Sequence, residues 1–339
     1  MRFGAVPLAE AEGATLAHSV ALAKGRLRKG RVLTEADIAA LEQAGLAEVI
    51  VARLDPSDVD EDSAAARLAE ALCGPGLRMT KAFTGRVNLL AEGPGVAVLD
   101  RAALEAVNAV QPMITLATVP PFQQMAEGGM VATVKIISYA VPEADLAAAC
   151  HAAGEGALRL VPPMLRSATL IVTEIPGGAG EKGRKAIEGR LSALGVTLNE
   201  AVFVPHETAP LAEAIAAVSS DLVLILTASA TSDIDDVAPA ALRQAGGEVE
   251  RFGMPVDPGN LLMLGDLNAT PVIGAPGCAR SPKENGFDWI LERLLAGLEV
   301  STHDITGMGV GGLLMEIGTR PQPRAPKAPR SKPKIASII

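Results

Sequence analysis

Residues 221–236 read DLVLILTASATSDIDD. Five consecutive aliphatic residues, Leu222 to Leu226, are bounded by an acid and a hydroxyl-rich loop. A strand this uniformly apolar is expected where both faces of a sheet are buried. Working outward, strands and helices alternate. A strand over Ala168–Ile175 leads through a Gly-rich loop to a helix over Lys182–Leu194. A strand at Glu200–Val204 leads to a helix over Ala209–Ser219. The strand Asp221–Thr227 leads to a helix over Asp236–Ala245, and Pro271–Ala275 leads to a helix over Pro282–Ala296. This order predicts an α/β fold: a doubly wound, mostly parallel sheet with helices on both faces. Ligands of such sheets bind beyond the carboxyl ends of the strands. The loops Pro176–Gly183, Ala228–Asp235 and Gly277–Ser281 therefore become the candidate site.

Phe252 to Pro282 holds two Pro-Gly turns, Pro258-Gly259-Asn260 and Pro276-Gly277-Cys278, with one short strand between them, Pro271–Ala275. Proline fixes φ and glycine opens conformations closed to other residues, so the pair predicts rigid loops around a pocket. Well-made turns around an ordinary strand fit the same residues.

The first half predicts a smaller, irregular α/β domain over 1–160. It begins with a loop-rich segment through Gly30. A helix at Thr34–Ala44 starts at a near capping box, Thr34 with Asp37. A strand at Val49–Arg53 follows, then a helix at Asp62–Cys73 stopped by Gly74-Pro75-Gly76. A strand at Val96–Leu99, a helix at Arg101–Ala109 and a β-rich run at Met130–Ala140 complete it. Leu158–Arg166, with its Pro-Pro pair, reads as the crossing to a second domain over 165–318. Residues 319–334 read as a Pro/Arg-rich linker. The apolar string Ile335–Ile339 fits either the first strand of a further domain or a frayed end.

The chain has 339 residues, 49% hydrophobic and only 2% aromatic, with net charge −9. Two domains with aliphatic cores are expected, and aromatic stacking platforms for nucleic acid are not. Arg320, Arg324, Lys327, Arg330, Lys332 and Lys334 lie in a segment without acids, so the rest is more acidic than the total. That argues against nucleic-acid and anionic-membrane partners. Cys73, Cys150 and Cys278 fit no CxxC pattern and read as thiols of a reducing compartment rather than disulfides. Without a signal-peptide pattern or a bilayer-length apolar run, the expected location is cytoplasmic.

In the loop after the 221–227 strand, Thr227, Ser229, Thr231 and Ser232 offer hydroxyls, and the following helix start offers amides. Together with Ala228 they suit a phosphate or another oxyanion. Asp233, Asp235 and Asp236 suit Mg²⁺ or the N–H groups of a heterocycle. Alternatively one of them caps the helix while the hydroxyls face water. Arg280, next to Ser281, suits bidentate phosphate binding. The loop Gly177–Gly183 lacks the Lys-Ser/Thr pair of a P-loop. His18, His151, His206 and His303 have no metal-ligand spacing. Thr84–Asn88 and Lys135 are polar groups in an aliphatic region and fit either a cleft or an exposed turn.

Residues 168–297 resemble the molybdopterin-binding domain shared by molybdopterin adenylyltransferase, the molybdenum insertase and gephyrin. The strand 221–227 with its loop ending at Asp236 resembles the family's Gly-rich loop and aspartate. Pro258-Gly259-Asn260 is similar to one of its Pro-Gly turns. Gly274-Ala275-Pro276-Gly277-Cys278-Ala279-Arg280-Ser281-Pro282 is similar to the other. The first half, with FGAVPLAEAEGATLAHS, resembles leader domains that precede this fold. Ala228-Ser229 stand where the family has paired glycines, and Cys278-Ala279 where it has Asn-Pro. The insertase's C-terminal β-domain has no counterpart after Gly297.

The resemblance implies molybdopterin or the molybdenum cofactor as ligand, with molybdate insertion or nucleotidyl transfer as the chemistry. Asp236 is then the catalytic or orienting residue, with Mg²⁺ on Asp235 and Asp236. Thr227, Ala228, Ser229, Thr231, Asp233, Pro258, Gly259, Asn260, Pro276, Gly277, Arg280 and Ser281 line the ligand. It further implies a homo-oligomer and a fused nucleotidyltransferase domain beginning at KIASII. A nucleotide pyrophosphatase on the same fold and a non-catalytic scaffold are the rival readings.

Overall fold

The computed structural model describes residues 1–176, 181 and 183–314. The linker, the terminal string and part of the Gly177–Gly183 loop lie outside the described residues. The chain divides into two compact units. One comprises Met1–Ser167, Gly189–Thr197 and Leu291–Glu299; the other comprises Ala168–Glu188, Leu198–Ile290 and the described residues from Val300.

The first unit opens with β1 (Arg2–Pro7), β2 (Thr15–Leu16), β3 (Val20–Ala21), β4 (Arg26–Leu27), α1 (Glu35–Gln43) and β5 (Glu48–Arg53). Where the sequence predicts loop, β1 pairs antiparallel with β5 along its whole length, Arg2 opposite Arg53. Its Phe3, Gly4 and Ala5 carry no strong strand pattern; the pairing with Ile50–Ala52 imposes the extended form. Thr34 caps α1 in a complete capping box with Asp37. Leu8, Leu16, Leu27, Leu33, Leu41, Val49 and Val51 form a hydrophobic cluster of their own.

The unit continues through β6 (Asp58–Asp60), α2 (Glu61–Leu72), β7 (Leu77–Met79), β8 (Arg86–Ala91), β9 (Gly95–Leu99), α3 (Arg101–Val110) and β10 (Ile114–Thr118). After these come β11 (Gln124–Met125), β12 (Met130–Ile136), β13 (Ala140–Pro142), α4 (Glu143–Ala153) and β14 (Leu158–Val161). A sheet of order β10-β12-β8-β7 and another of order β11-β9-β14 share a second hydrophobic cluster with residues of α2, α3 and α4. The expected crossing at 158–166 is therefore partly β14, paired with β9. Gly74-Pro75-Gly76 does more than stop α2. Gly74 N–H donates to the Leu158 carbonyl and Leu160 N–H to the Pro75 carbonyl, so this segment flanks β14. Thr84-Gly85 forms a tight turn between Phe83 and Arg86, and Lys135 Nζ donates to the Thr84 carbonyl.

The second unit is mixed α/β. Its elements are β15 (Ser167–Glu174), the first part of α5 (Arg184–Ala193), β16 (Thr197–Pro205), α6 (Thr208–Ala216), β17 (Leu222–Leu226), α7 (Val237–Gln244), β18 (Glu248–Phe252), β19 (Met263–Leu267), β20 (Thr270–Ala275), the first part of α8 (Gly286–Leu295) and α9 (Thr302–Gly307). Six strands form one sheet of order β16-β15-β17-β20-β19-β18. β15, β17 and β20 run parallel. β19 is antiparallel to both β20 and β18. Val223, Ile225, Ile171, Met263 and Val272 join Leu211, Ile215, Ala238 and Leu242 of α6 and α7 in one cluster. Leu222, Leu224 and Leu226, on the opposite face of β17, are buried too, as the aliphatic run requires.

Two expectations need correction. Between the Pro-Gly turns lie two strands, not one. Asn268 and Ala269, both at positive φ, close a two-residue hairpin between β19 and β20. Gly265 disguises β19 in the sequence. A side chain there would strike the Glu248 carbonyl and Leu242, so close packing of β18 and α7 demands the residue that weakens the strand signal. The second correction concerns Pro282–Ala296. Gly277–Arg280 is a short 3₁₀ turn, and α8 begins only at Gly286.

Candidate functional site at the carboxyl ends of the parallel strands

The register pairs Val172 with Leu226 and Leu226 with Ala275. Thr173, Thr227 and Pro276 are thus the next residues of three adjacent chains at the same end of the sheet. Here one peptide group is held from both sides. The Thr227 carbonyl accepts from Arg280 Nη2 at 2.8 Å. The amide of the same peptide, Ala228 N–H, donates to Thr173 Oγ1 at 2.8 Å. Thr173 is 2% exposed, and its hydroxyl also lies 2.8 Å from Nδ1 of His206, the first residue after β16.

Arg280 stands on the 3₁₀ turn beyond Pro276-Gly277. It forms no ion pair among the described residues, and its Nε is buried without a hydrogen-bond partner there. Burial pushes its guanidinium below the ordinary arginine value. Gly183, at φ 101°, lies against it; a Cβ there would come within 2.7 Å of Arg280 Cγ. The glycine-rich loop thus supplies at least one residue whose small size makes room for the arginine. A half-buried guanidinium with an unused N–H, at the carboxyl ends of parallel strands, is suited to an oxyanion.

The aspartates are disposed otherwise than the sequence suggests. Asp236 caps α7: its carboxylate accepts from Ser232 N–H at 2.9 Å and Val237 N–H at 2.7 Å. The Ser232 amide, then the Val237 amide, outweigh burial and hold this carboxyl below its usual range, with a smaller contribution from nearby His206. Asp235 is exposed and paired with Arg243 at 2.8 Å. Asp233 accepts from the Asp235 amide. No group of three His, Cys, Asp or Glu side chains among the described residues is placed to hold a metal. The Mg²⁺ expected on Asp235 and Asp236 finds no third His, Cys, Asp or Glu ligand beside them among the described residues.

The hydroxyls divide as well. Thr227 and Thr231 are buried, their oxygens 3.5 Å apart. Ser229 is exposed, and Ser232 is turned to Asp236. Ser281 follows the 3₁₀ turn and is half-buried.

Pro258-Gly259-Asn260 follows β18 at the same end of the sheet, but its groups serve the protein. The Pro258 carbonyl accepts from Gly286 N–H at the start of α8. A Cβ on Gly259, at φ 142°, would lie 2.8 Å from the Gly286 nitrogen. Asn260 Nδ2 donates to the Met254 carbonyl at 3.3 Å. Sequence reasoning missed Thr173 and His206. Their signal is tertiary, since 33 residues separate the two partners.

A family model described as a domain of unknown function (DUF8806) matches residues 5–53. No curated protein matches the chain. Among solved structures, the molybdopterin biosynthesis MoeA protein from Pyrococcus horikosii is similar at 16% identity, over 87% of this chain and 75% of that one, with a TM-score of 0.30. A molybdenum cofactor biosynthesis protein from Pyrococcus furiosus is similar at 12% identity, over 90% of this chain and 65% of that one, with a TM-score of 0.26. No helix among the described residues is long and apolar enough to cross a membrane.

Proposed function

We propose that the second unit binds molybdopterin or the molybdenum cofactor in the cytoplasm, as a step of molybdenum-cofactor biosynthesis. The observation that carries this reading is Arg280, a half-buried guanidinium with an unused Nε–H and no carboxylate partner among the described residues. The phosphate of a pterin phosphoester meets that requirement, and Gly277, where an added Cβ would lie 4.0 Å from Arg280 Nη1, keeps the turn beside the guanidinium small. The sequence likeness of 221–236 and 274–282 to the molybdopterin-binding domain supplies the pterin. Asp236 contributes its remaining lone pairs to pterin N–H groups. On this reading the sheet is doubly wound, with α6 and α7 on one face and α5 and α8 on the other. The protein's part in any reaction is positioning and charge stabilisation, with no step routed through Mg²⁺.

The test is equilibrium binding of molybdopterin to wild type, Arg280→Ala and Arg280→Lys. A charge-assisted contact is worth ~1.5–3 kcal/mol, so Arg280→Ala is expected to weaken binding roughly 10- to 100-fold. Lysine, which has the charge without the planar fork, recovers only part. Equal affinity of wild type and Arg280→Ala overturns the proposal.

A further inference from the structure

The first unit's sheet of order β10-β12-β8-β7 has two unlike faces. Val87, Leu89, Val134 and Ile136 are buried in the second hydrophobic cluster. Their neighbours along the strands therefore line the opposite, open face. There Lys135 stands directly opposite Arg86, and Thr133 opposite Asn88. Arg78 of β7, opposite Leu90, adds a third cation to this face. No acid stands at these positions.

Like charges directly opposite each other on a sheet repel. Elsewhere arginines of this acidic chain are paired: Arg67 with Glu143, Arg101 with Glu105, Arg243 with Asp235. Arg86 and Lys135 have no ion-pair partner among the described residues. Lys135 acts from a distance on the Glu61 carboxylate, but burial outweighs it and pushes that carboxyl above its usual range.

The donors on this face are held from behind. An arginine can only donate, so the bond from Arg86 Nη1 to Thr133 Oγ1 at 3.3 Å makes that hydroxyl an acceptor. The Thr133 proton then goes to Asn88 Oδ1 at 2.8 Å. This orientation leaves Asn88 Nδ2 with two N–H groups unused among the described residues. Lys135 Nζ is fixed on the Thr84 carbonyl. Thr84 lies at φ 50°, a conformation that a β-branched residue rarely adopts. Two further bonds hold the turn: Gly85 N–H to Asp62 Oδ1 at 2.6 Å, and Ile136 N–H to the Gly85 carbonyl at 2.8 Å. Strain that the surroundings fix in this way clusters at functional sites.

We infer that Arg86, Lys135 and Asn88 bind a free tetrahedral dianion on the open face of this sheet. The ion neutralises the two opposed cations and accepts from the unused Asn88 donors. Opposite residues have Cβ atoms ~5 Å apart, a span that one such ion bridges. The Thr115 hydroxyl beside Lys135 is spent on the Lys135 carbonyl, and Leu90 and Ala117 offer no side-chain donor. The face thus provides for the ion and not for the body of a larger molecule. The site shares no residue with that of Arg280.

The experiment uses inorganic phosphate as the probe and the full chain with Arg280→Ala as the background, so that this site is read alone. Phosphate is titrated by calorimetry and by ¹⁵N NMR. It is expected to shift the Asn88 side-chain amide and the backbone amides of residues 84–88 and 133–135. Arg86→Gln and Lys135→Gln should each weaken binding roughly 10-fold or more, with Arg86→Lys recovering part of the loss. Asn88→Asp keeps an acceptor for Thr133 but replaces two donors with a negative charge, and should abolish binding. Circular dichroism and melting temperature establish that each variant is folded. Glycerol phosphate should bind no more tightly than the free ion. Unmoved signals over 84–88 and 133–135 overturn the proposal, as does undiminished affinity in folded Arg86→Gln or Asn88→Asp. Tighter binding of the ester overturns the assignment to a free ion.

Discussion

Asp236 shows at the residue scale how one side chain serves two readings. As a helix cap it stabilises α7; as the residue beside His206 it stands at the candidate site. Asp236→Ala is expected to cost ~1 kcal/mol of stability, seen as a lower melting temperature, while Asp236→Asn retains most of it. The pH dependence has a definite sign. The folded carboxyl is held below its unfolded value, so the stabilisation is fully present above the usual aspartate range. It is lost as pH falls through the folded value. The gap between wild type and Asp236→Ala should therefore close in acid; a constant gap down to the acid limit contradicts the cap. The sequence could offer Asp236 as ligand or cap without choosing, because the choice depends on where Ser232 N–H points. Arg280 was legible as a candidate clamp from its place after a Pro-Gly turn. Its want of a carboxylate partner among the described residues was not, since that depends on what the rest of the fold brings near it.

Among the elements, the aliphatic strands and capped helices were readable because their signals are local. The aliphatic run Leu222–Leu226 is a strand of the length its pattern suggests, and Thr34 with Asp37 starts a helix by its own hydrogen bonds. β18 and β19 were not, because EVERF is largely polar and MLGDL carries a glycine needed by its neighbours. The first Pro-Gly turn belongs with these packing effects. Gly259 lies against the backbone that starts α8, and backbone cannot swing aside as a side chain can. Gly259→Ala is expected to destabilise the second unit by ~1–3 kcal/mol. The affinity of the folded fraction for phosphate should remain that of wild type. Loss of affinity without loss of melting temperature would return this turn to the ligand site.

For the whole molecule, the aliphatic composition foretold cores without aromatic anchors, and the clusters are built that way. What composition could not foretell is that, among the described residues, the first unit holds two distinct ones. The cluster between Leu8 and Val51 lies within the 5–53 match. Leu41, fully buried in this cluster, tests its independence. Leu41→Ala is expected to cost ~2–5 kcal/mol. Hydrogen exchange should quicken over residues 1–53, while amides of β8 and β12 keep their protection. Uniform loosening of both would show one cooperative core in place of two.

The pairing of Arg2 with Arg53 has a consequence of its own. The outer ends of β1 and β5 therefore lie side by side, so the segment between them closes on itself. A segment whose two ends meet takes up no span of the polypeptide that carries it. Such a piece can be grafted onto, or lifted from, a host without stretching or slackening the rest of the chain, like a bead tied on a thread rather than a link within it.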